Sequence, residues 1–260
     1  MPELVEVERY RTLAEGALER RVASVDSPDP WFIKGATSGP LLDSALVGRR
    51  FTGARRIGKL LLLDVDDGPV VGVRFGMTGS LLVDGDDPVG RLLYSATRHD
   101  PVWERWSVTF ADGGRLVVHD PRRLGGVTLD PDVSHLGPDA ASLGVAGLGR
   151  ALAGSTAPLK ARLLDQSRVA GIGNLIADEV LWRAGLSPLR PAASLTPTEV
   201  RRLHRHLART LADLTERGGS HLGDLMDERH PGSMCPKDGY PLVRTTVGGR
   251  TTWWCPAHQV

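Results

Sequence analysis

The hydrophobic pattern of this chain changes period part-way along, and that change limits the folds open to it. Between Phe51 and Leu129 the apolar residues fall in short Leu- and Val-rich runs: Leu60 to Val65, Pro69 to Val83, Arg105 to Phe110 and Arg115 to His119. Glycines and the turn pairs Asp67-Gly68 and Asp112-Gly113 separate them. Short apolar runs broken by such pairs are strands and hairpins. From about 147 to 217 the spacing is helical, and residues 130–157 between the two regions are rich in Gly, Ala, Ser, Asp and Pro with little hydrophobic period. Strands first and helices afterwards predict an α+β chain, with a β-sandwich or flattened barrel followed by a helical domain. At 260 residues there is chain enough for one large core or two ordinary ones.

The ends of the helices carry their own signals. Over the first 20 residues Leu4, Val7, Leu13, Ala14, Ala17 and Leu18 share helical spacing, with Glu3 and Glu6 on another face and Pro2 in the first turn. Further on, Gly171-Ile172-Gly173-Asn174 forms a glycine-hinged turn into a helix from Leu175 to Ala184 that stops at Gly185. Thr196-Pro197-Thr198-Glu199 has the form of a capping box with proline at the first helical position. The pattern is helix, tight turn, helix. Asn174 and unpaired amides stand at the positive end of the second of these helices, which suits a phosphate.

Charge distribution says more than the net charge of +1. Residues 160–210 hold nine Lys or Arg against four acids, so a polyanion is a plausible partner for that stretch. No apolar run approaches the roughly 20 residues that span a bilayer, and residues 1–20 lack the basic start of a signal peptide. The expectation is a cytoplasmic protein. Two cysteines cannot build a disulfide framework. They stand instead in Cys235-Pro-Lys-Asp238 and Cys255-Pro-Ala-His258, which bracket a Gly248-Gly249 hairpin and resemble two knuckles of a zinc ribbon. Zinc accepts carboxylate and imidazole as well as thiolate, so Cys235, Asp238, Cys255 and His258 are a candidate tetrahedral set. His230 is a rival ligand, and a zinc-free finger held by packing that includes Trp253 and Trp254 is the alternative.

Taken together, Met1-Pro2-Glu3-Leu4 with Glu6-Val7-Glu8, Arg56-Ile57-Gly58-Lys59, Gly76-Met77-Thr78-Gly79, Asp120-Pro121-Arg122-Arg123, Asp165-Gln166 before Gly171-Ile172-Gly173-Asn174, and Gly249-Arg250-Thr251-Thr252 before Cys255-Pro256 resemble the formamidopyrimidine-DNA glycosylase and endonuclease VIII family. The match runs over essentially the whole chain in the right order. It implies an N-terminal β-sandwich catalytic domain (1–130), a linker (131–157), a helix-two-turn-helix domain (158–229) and a β-hairpin zinc-finger-like module (230–260). It also implies a monomeric base-excision enzyme acting on damaged double-stranded DNA, with abasic-site lyase activity by β/δ-elimination.

The same resemblance implies roles for single residues. In the family the initiator methionine is removed and Pro2 becomes a secondary amine, a nucleophile that attacks the sugar and forms a Schiff base. Glu3 is the general acid/base, Glu6 a second acid beside the nucleophile, and Lys59 a cation near the reacting sugar. Met77, Arg122 and Leu124 fill the void left by the extruded nucleotide. Lys160, Asn174 and Arg250 grip phosphates. Three departures stand out: Arg74-Phe75 replaces a His-Leu pair, the segment Arg217 to His230 is short, so the loop that caps 8-oxoguanine is expected to be curtailed, and Asp238 and His258 stand where the family's finger has the second and fourth of its four cysteines; Leu124 also replaces an aromatic common at its position. A specialised enzyme for bulky, crosslinked or alkylated bases and a catalytically altered DNA-binding relative are the competing readings; presence of Pro2, Glu3 and Lys59 argues against the second.

Overall fold

The computed structural model describes residues 2–89 and 100–260, and falls into two compact units that divide between Val133 and Ser134. The first begins with helix α1 (Leu4–Ala14), followed by strand β1 (Val22–Asp26) and the short helix α2 (Gly39–Leu46). Strands β2 (Phe51–Ile57), β3 (Leu60–Val65), β4 (Val70–Arg74), β5 (Ser80–Val83), β6 (Glu104–Phe110), β7 (Arg115–His119) and β8 (Gly126–Leu129) complete it. They form two four-stranded antiparallel sheets, ordered β2-β3-β4-β8 and β1-β6-β7-β5. This is the sandwich that the strand-period runs predict.

One continuous core lies inside it. Leu61, Leu63, Val71 and Val73 from one sheet meet Leu81, Trp106, Val108, Leu116 and Val118 from the other, with Val7, Tyr10 and Ala14 of α1 and Leu42 and Leu46 of α2 closing the cluster. Alternation along β7 and β6 sends these residues inward. Tyr10 packs on Phe75 at a ring separation of 4.6 Å, which joins α1 to the segment leaving β4.

Helix α1 is shorter at both ends than the sequence pattern predicts. It starts at Leu4, and a 3-10 turn over Glu15–Ala17 ends it well before residue 20. Glu3 is the N-cap and Pro2 precedes it, so Pro2 stands outside the helix rather than in its first turn. A capping box is the cause: the Glu3 amide donates to the Glu6 carboxylate at 2.8 Å, and the Glu3 carboxylate faces the Glu6 amide.

The second unit contains helices α3 (Val145–Leu152), α4 (Leu159–Leu164), α5 (Asn174–Ala184) and α6 (Pro197–Arg217), then the hairpin of β9 (Val243–Val247) and β10 (Arg250–Trp254). Helix α3 lies inside the stretch 131–157 that reads as a linker; burial of Leu148, Ala151 and Leu152 makes it part of this unit. Gly185 ends α5 in the left-handed region at φ +63°, where a side chain would be strained. The 21-residue α6 buries Leu203, Leu207, Leu211 and Leu214 on one stripe. The hairpin turns through Gly248 and Gly249, both at positive φ. Among the described residues no helix is long and apolar enough to cross a membrane.

The capping box at Thr196 forms as its sequence predicts, and Arg190 adds to it by donating to Glu199 at 2.7 and 3.1 Å. The Arg190 bonds, reinforced by the Thr196 amide, lower the Glu199 carboxyl to about 2. A carboxyl held below its ordinary 4.5 stabilises the fold fully above that value, and the gain is lost as pH falls towards 2. Glu199→Gln is therefore expected to lower the melting temperature at pH 7, with the gap to the wild type closing as acid melts are taken from pH 4.5 down to about 2.

Candidate functional site

In the first unit the N-terminal residues are fixed by the start of α1. Pro2, Glu3 and Glu6 are all buried, the two carboxylates completely. Burying two acids is costly unless they are bonded, and the capping box provides this at the positive end of the helix. Glu6 acts through the backbone: it holds the Glu3 N–H, which adjoins the Pro2 carbonyl. One turn on, the Glu8 carboxylate accepts from Arg56 Nε at 2.8 Å, and Arg56 Nη1 also donates to the Gly58 carbonyl at 3.0 Å. That ties α1 to the Gly58-Lys59 turn between β2 and β3, where Lys59 sits half-buried.

Met77, Arg122 and Leu124 occupy two loops that one buried carboxylate joins. Asp120 is fully buried; its Oδ1 accepts from Thr78 Oγ1 at 2.7 Å and from the Arg122 amide at 3.2 Å, and its Oδ2 accepts from the Gly125 amide at 2.8 Å. Gly76 has φ +59°, and a Cβ there would lie 2.4 Å from the Leu124 carbonyl carbon, so the two loops touch backbone to backbone and only glycine fits. Met77 is left half-buried, with Arg122 exposed and Leu124 52% exposed.

In the second unit the turn before α5 is shaped by Gln166. Its Oε1 accepts from the Gly171 amide at 2.9 Å, and its Nε2 donates to the Leu164 and Ile172 carbonyls, each at 2.9 Å. No side chain caps α5 at Gly173, and among the described residues Asn174 Oδ1 is buried without a hydrogen-bond partner. Arg250 is exposed at the hairpin turn. Lys160 is different. It is fully buried, and its ammonium reaches Asp178 Oδ1 at 2.6 Å, Thr252 Oγ1 at 2.7 Å and the Thr251 carbonyl at 3.2 Å. The expectation that Lys160 grips a phosphate directly is corrected on this point: its donors are used inside the unit, where they fix β10 against α4 and α5. Asp178 also takes Arg229 and the Trp253 amide, and Thr252 Oγ1 passes on to the Arg250 carbonyl at 3.1 Å.

Cys235, Asp238, Cys255 and His258 come together in the same unit, with one ligand atom from each lying within 4.8 Å of all the others. Cys255 Sγ is 3.3 Å from Asp238 Oδ2, and Cys235 Sγ is 3.7 Å from His258 Nδ1. Tetrahedral zinc with bonds of about 2.0–2.3 Å spaces its ligand atoms roughly 3.3–3.8 Å apart, as these two pairs are; His258 Nδ1 stands closer to Asp238 Oδ2, at 2.6 Å, so the donor set could hold such an ion once that pair parts. His230 lies outside the group, with its Nδ1 on the Pro231 carbonyl. Orienting bonds surround the four. His258 Nε2 meets the Trp182 carbonyl at 3.2 Å, Trp182 Nε1 donates to Cys235 Sγ at 3.3 Å, and Gln259 Oε1 accepts from the Cys255 amide at 2.8 Å. Burial pushes the Cys255 thiol up to about 11, whereas the Tyr240 amide leads in lowering Asp238 to about 2.

The family model of the formamidopyrimidine-DNA glycosylase N-terminal domain matches residues 1–127, and that of the formamidopyrimidine-DNA glycosylase H2TH domain matches residues 136–224. The chain belongs to the formamidopyrimidine-DNA glycosylase family. It is 37% identical over 290 residues to the formamidopyrimidine-DNA glycosylase of Thermus thermophilus, covering 100% of this chain and 98% of that one. With that of Methylocella silvestris it shares 37% over 301 residues, covering both chains fully. The complex between Lactococcus lactis Fpg and abasic-site-containing DNA superposes at a TM-score of 0.83 with 25% identity over 100% of both chains.

Four positioning residues of this glycosylase-family chain carry weaker sequence signals than the motifs that mark the family. Asp120 and Gln166 lay inside recognisable motifs without a role of their own. Asp178 and Trp182 read only as α5 helix positions, since what they touch comes from distant segments. Asp120→Ala would leave the Thr78 hydroxyl and the Gly125 amide without their buried acceptor. The expected loss is about 2–4 kcal/mol in urea unfolding, whereas Thr78→Val is expected to cost about 1 kcal/mol.

Proposed function

We propose that this family member is a base-excision DNA glycosylase and abasic-site lyase that works through Pro2. The observation that carries the reading is the placement of Pro2 directly before a buried carboxylate, Glu3, at the capped and positive start of α1. A secondary amine there can attack the anomeric carbon of a damaged nucleotide while Glu3 gives a proton to the departing base or the opening ring oxygen. The resulting iminium withdraws electrons from the neighbouring carbon. Its proton is then lost, and the 3′ and 5′ phosphates leave in successive β- and δ-eliminations. Met1 lies outside the described residues; the chemistry needs it removed, because an amide nitrogen cannot attack.

The other side chains have roles in the reaction or in holding the DNA. Lys59, set by the Arg56 bridge to α1, supplies a cation for charge developing near the sugar. Met77, Arg122 and Leu124 enter the space vacated by the extruded nucleotide. The uncapped α5 start with Asn174 and the exposed Arg250 hold phosphates, and Lys160 serves Arg250 through Thr252 rather than by contact. Damaged double-stranded DNA is the substrate, taken by a cytoplasmic monomer. Borohydride reduction on an abasic-site duplex is expected to trap a covalent adduct with the wild type and none with Pro2→Gly; equal trapping by the two would remove Pro2 from the mechanism.

Zinc suits the four-residue set as a structural ion. Two thiolates, a carboxylate and an imidazole would hold it closed, and the ion would brace β9 and β10 against α5 through Trp182. Metal analysis is expected to give about one zinc per chain for the wild type and for His230→Ala, and a marked loss for Cys255→Ser. Retention by Cys255→Ser, or loss by His230→Ala, would reassign the ligands.

A reading as a specialist for bulky or alkylated bases rests on the segment 217–230. It holds two 3-10 turns, and the buried Glu179 carboxylate accepts from the Asp224 and Leu225 amides at 3.1 and 3.0 Å. A short, pinned segment supports weak discrimination for 8-oxoguanine, which excision rates on a panel of oxidised, ring-opened and alkylated bases measure.

A further inference from the structure

Three large apolar side chains of the first unit stand out from its surface: Trp31 at 68% exposed, Val102 at 67% and Leu124 at 52%. They sit on three separate loops, and one set of polar bonds locks those loops together. Asp29, 7% exposed, accepts from the Trp31 amide at 3.1 Å and takes both ends of the Arg123 guanidinium at 2.6 Å. Arg105 lies 3.6 Å from Asp29 and donates to the Val102 carbonyl at 3.3 Å and the Asp120 carbonyl at 2.8 Å. The Trp31 loop is further bound to the Leu124 loop by the Lys34 amide, which donates to Val127 at 2.9 Å, and by buried Phe32, whose ring lies 3.1 Å from where a Gly125 Cβ would be. Pro30 in the first turn of its 3-10 helix and the Asp29 cap leave Trp31 little freedom.

An exposed tryptophan on a rigid loop needs a reason, because water solvates the ring poorly. The charge around it points one way. Around these loops Lys34, Arg105, Arg122 and Arg123 outnumber the two buried carboxylates, Asp29, which pairs with Arg123 and Arg105, and Asp120. The Lys34 ammonium lies 4.7 Å from the Trp31 ring centroid and donates to the Trp31 carbonyl, so a cation already polarises the ring. A fixed aromatic face among cations is a stacking platform for a nucleic-acid base.

We propose that Trp31 stacks on the unpaired base of the undamaged strand, supplying the aromatic face that Leu124 does not. The inference rests on the reading of Arg122 and Leu124 as residues that occupy the vacated position, since the base left without a partner lies across from it. Trp31 is anchored to their loop through Asp29 and Arg123, and Leu124 itself offers only an aliphatic surface. Continuity with that loop and the cationic rim both favour DNA over a protein partner.

The experiment compares equilibrium binding of the full chain to two duplexes at fixed salt: one with a tetrahydrofuran abasic analogue opposite cytosine, and one with the analogue opposite a second analogue. Trp31→Ala is expected to bind the first duplex roughly tenfold more weakly than the wild type, with Trp31→Phe near the wild type, and all three proteins within about twofold of each other on the second, where there is no base to stack. An equal loss on both duplexes, or no loss on the first, overturns the proposal. The analogue binds without reacting, so this ratio reads Trp31 even if Pro2-dependent trapping fails and takes the lyase reading with it.

Discussion

Much of the first unit hangs on one buried carboxylate. Asp120 has two oxygens and receives hydrogen bonds from the Thr78 hydroxyl and the amides of Arg122 and Gly125, while its own carbonyl takes Arg105. The β4–β8 and β5–β7 ladders stop at the Arg74–Gly126 and Ser80–His119 pairs, and between them this side chain carries the link from the Gly76 turn to the Pro121–Gly125 loop. Removing water from a carboxylate is costly, and three aimed donors offset the cost only if both loops keep their shape. That requirement makes the loops rigid. Met77, Arg122 and Leu124 therefore project from a fixed base, a property that side chains meant to enter a duplex need.

The second unit solves the same problem with a charged pair. Lys160 and Asp178 meet with 0% and 1% of their side chains exposed, and Arg229 and the Trp253 amide share the carboxylate. Such a network is poor evidence for stability, because desolvation cancels much of the attraction. What it secures is register: α4, α5, β10 and the segment after α6 can coincide only when all four groups are paired. The Cys235 to His258 set continues the arrangement, since Trp182 projects from the same helix as Asp178 and donates to Cys235.

Legibility in the sequence followed the range of the interaction. Strands β3 and β7 appear over the residues that their apolar runs mark, and the Thr196 signal starts α6 and the Gly185 signal ends α5 where expected, because pattern and capping are local. The start of α1 departs from its sequence pattern for a local reason too: proline at a helix start usually occupies the first turn, but the Glu3-x-x-Glu6 cap sets the boundary after it. Lys160 was beyond sequence reasoning in a different sense. A lysine in a basic stretch reads as a phosphate ligand, and only the return of Thr251 and Thr252 from ninety residues away shows its donors to be taken. Trp31 carried no signal at all, since its exposure depends on which loops Asp29 gathers.

Net charge conceals how the molecule meets a polyanion. The formal value is +1, which by itself predicts no attraction to DNA. Among the described residues, however, six acids are buried, Glu3, Glu6, Asp29, Asp120, Asp178 and Glu179, against one basic residue, Lys160. Asp120 accepts from a hydroxyl and two amides and leaves the surface cations unpaired by it, whereas Asp29, Asp178 and Glu179 each pair with an arginine, so only part of the buried negative charge offsets the basic surface. Arg123 is paired with buried Asp29 through its guanidinium yet stays half-exposed, and Arg122 beside it is exposed. A chain can thus be close to neutral overall and still present cationic loops, provided that its carboxylates are the groups that folding consumes.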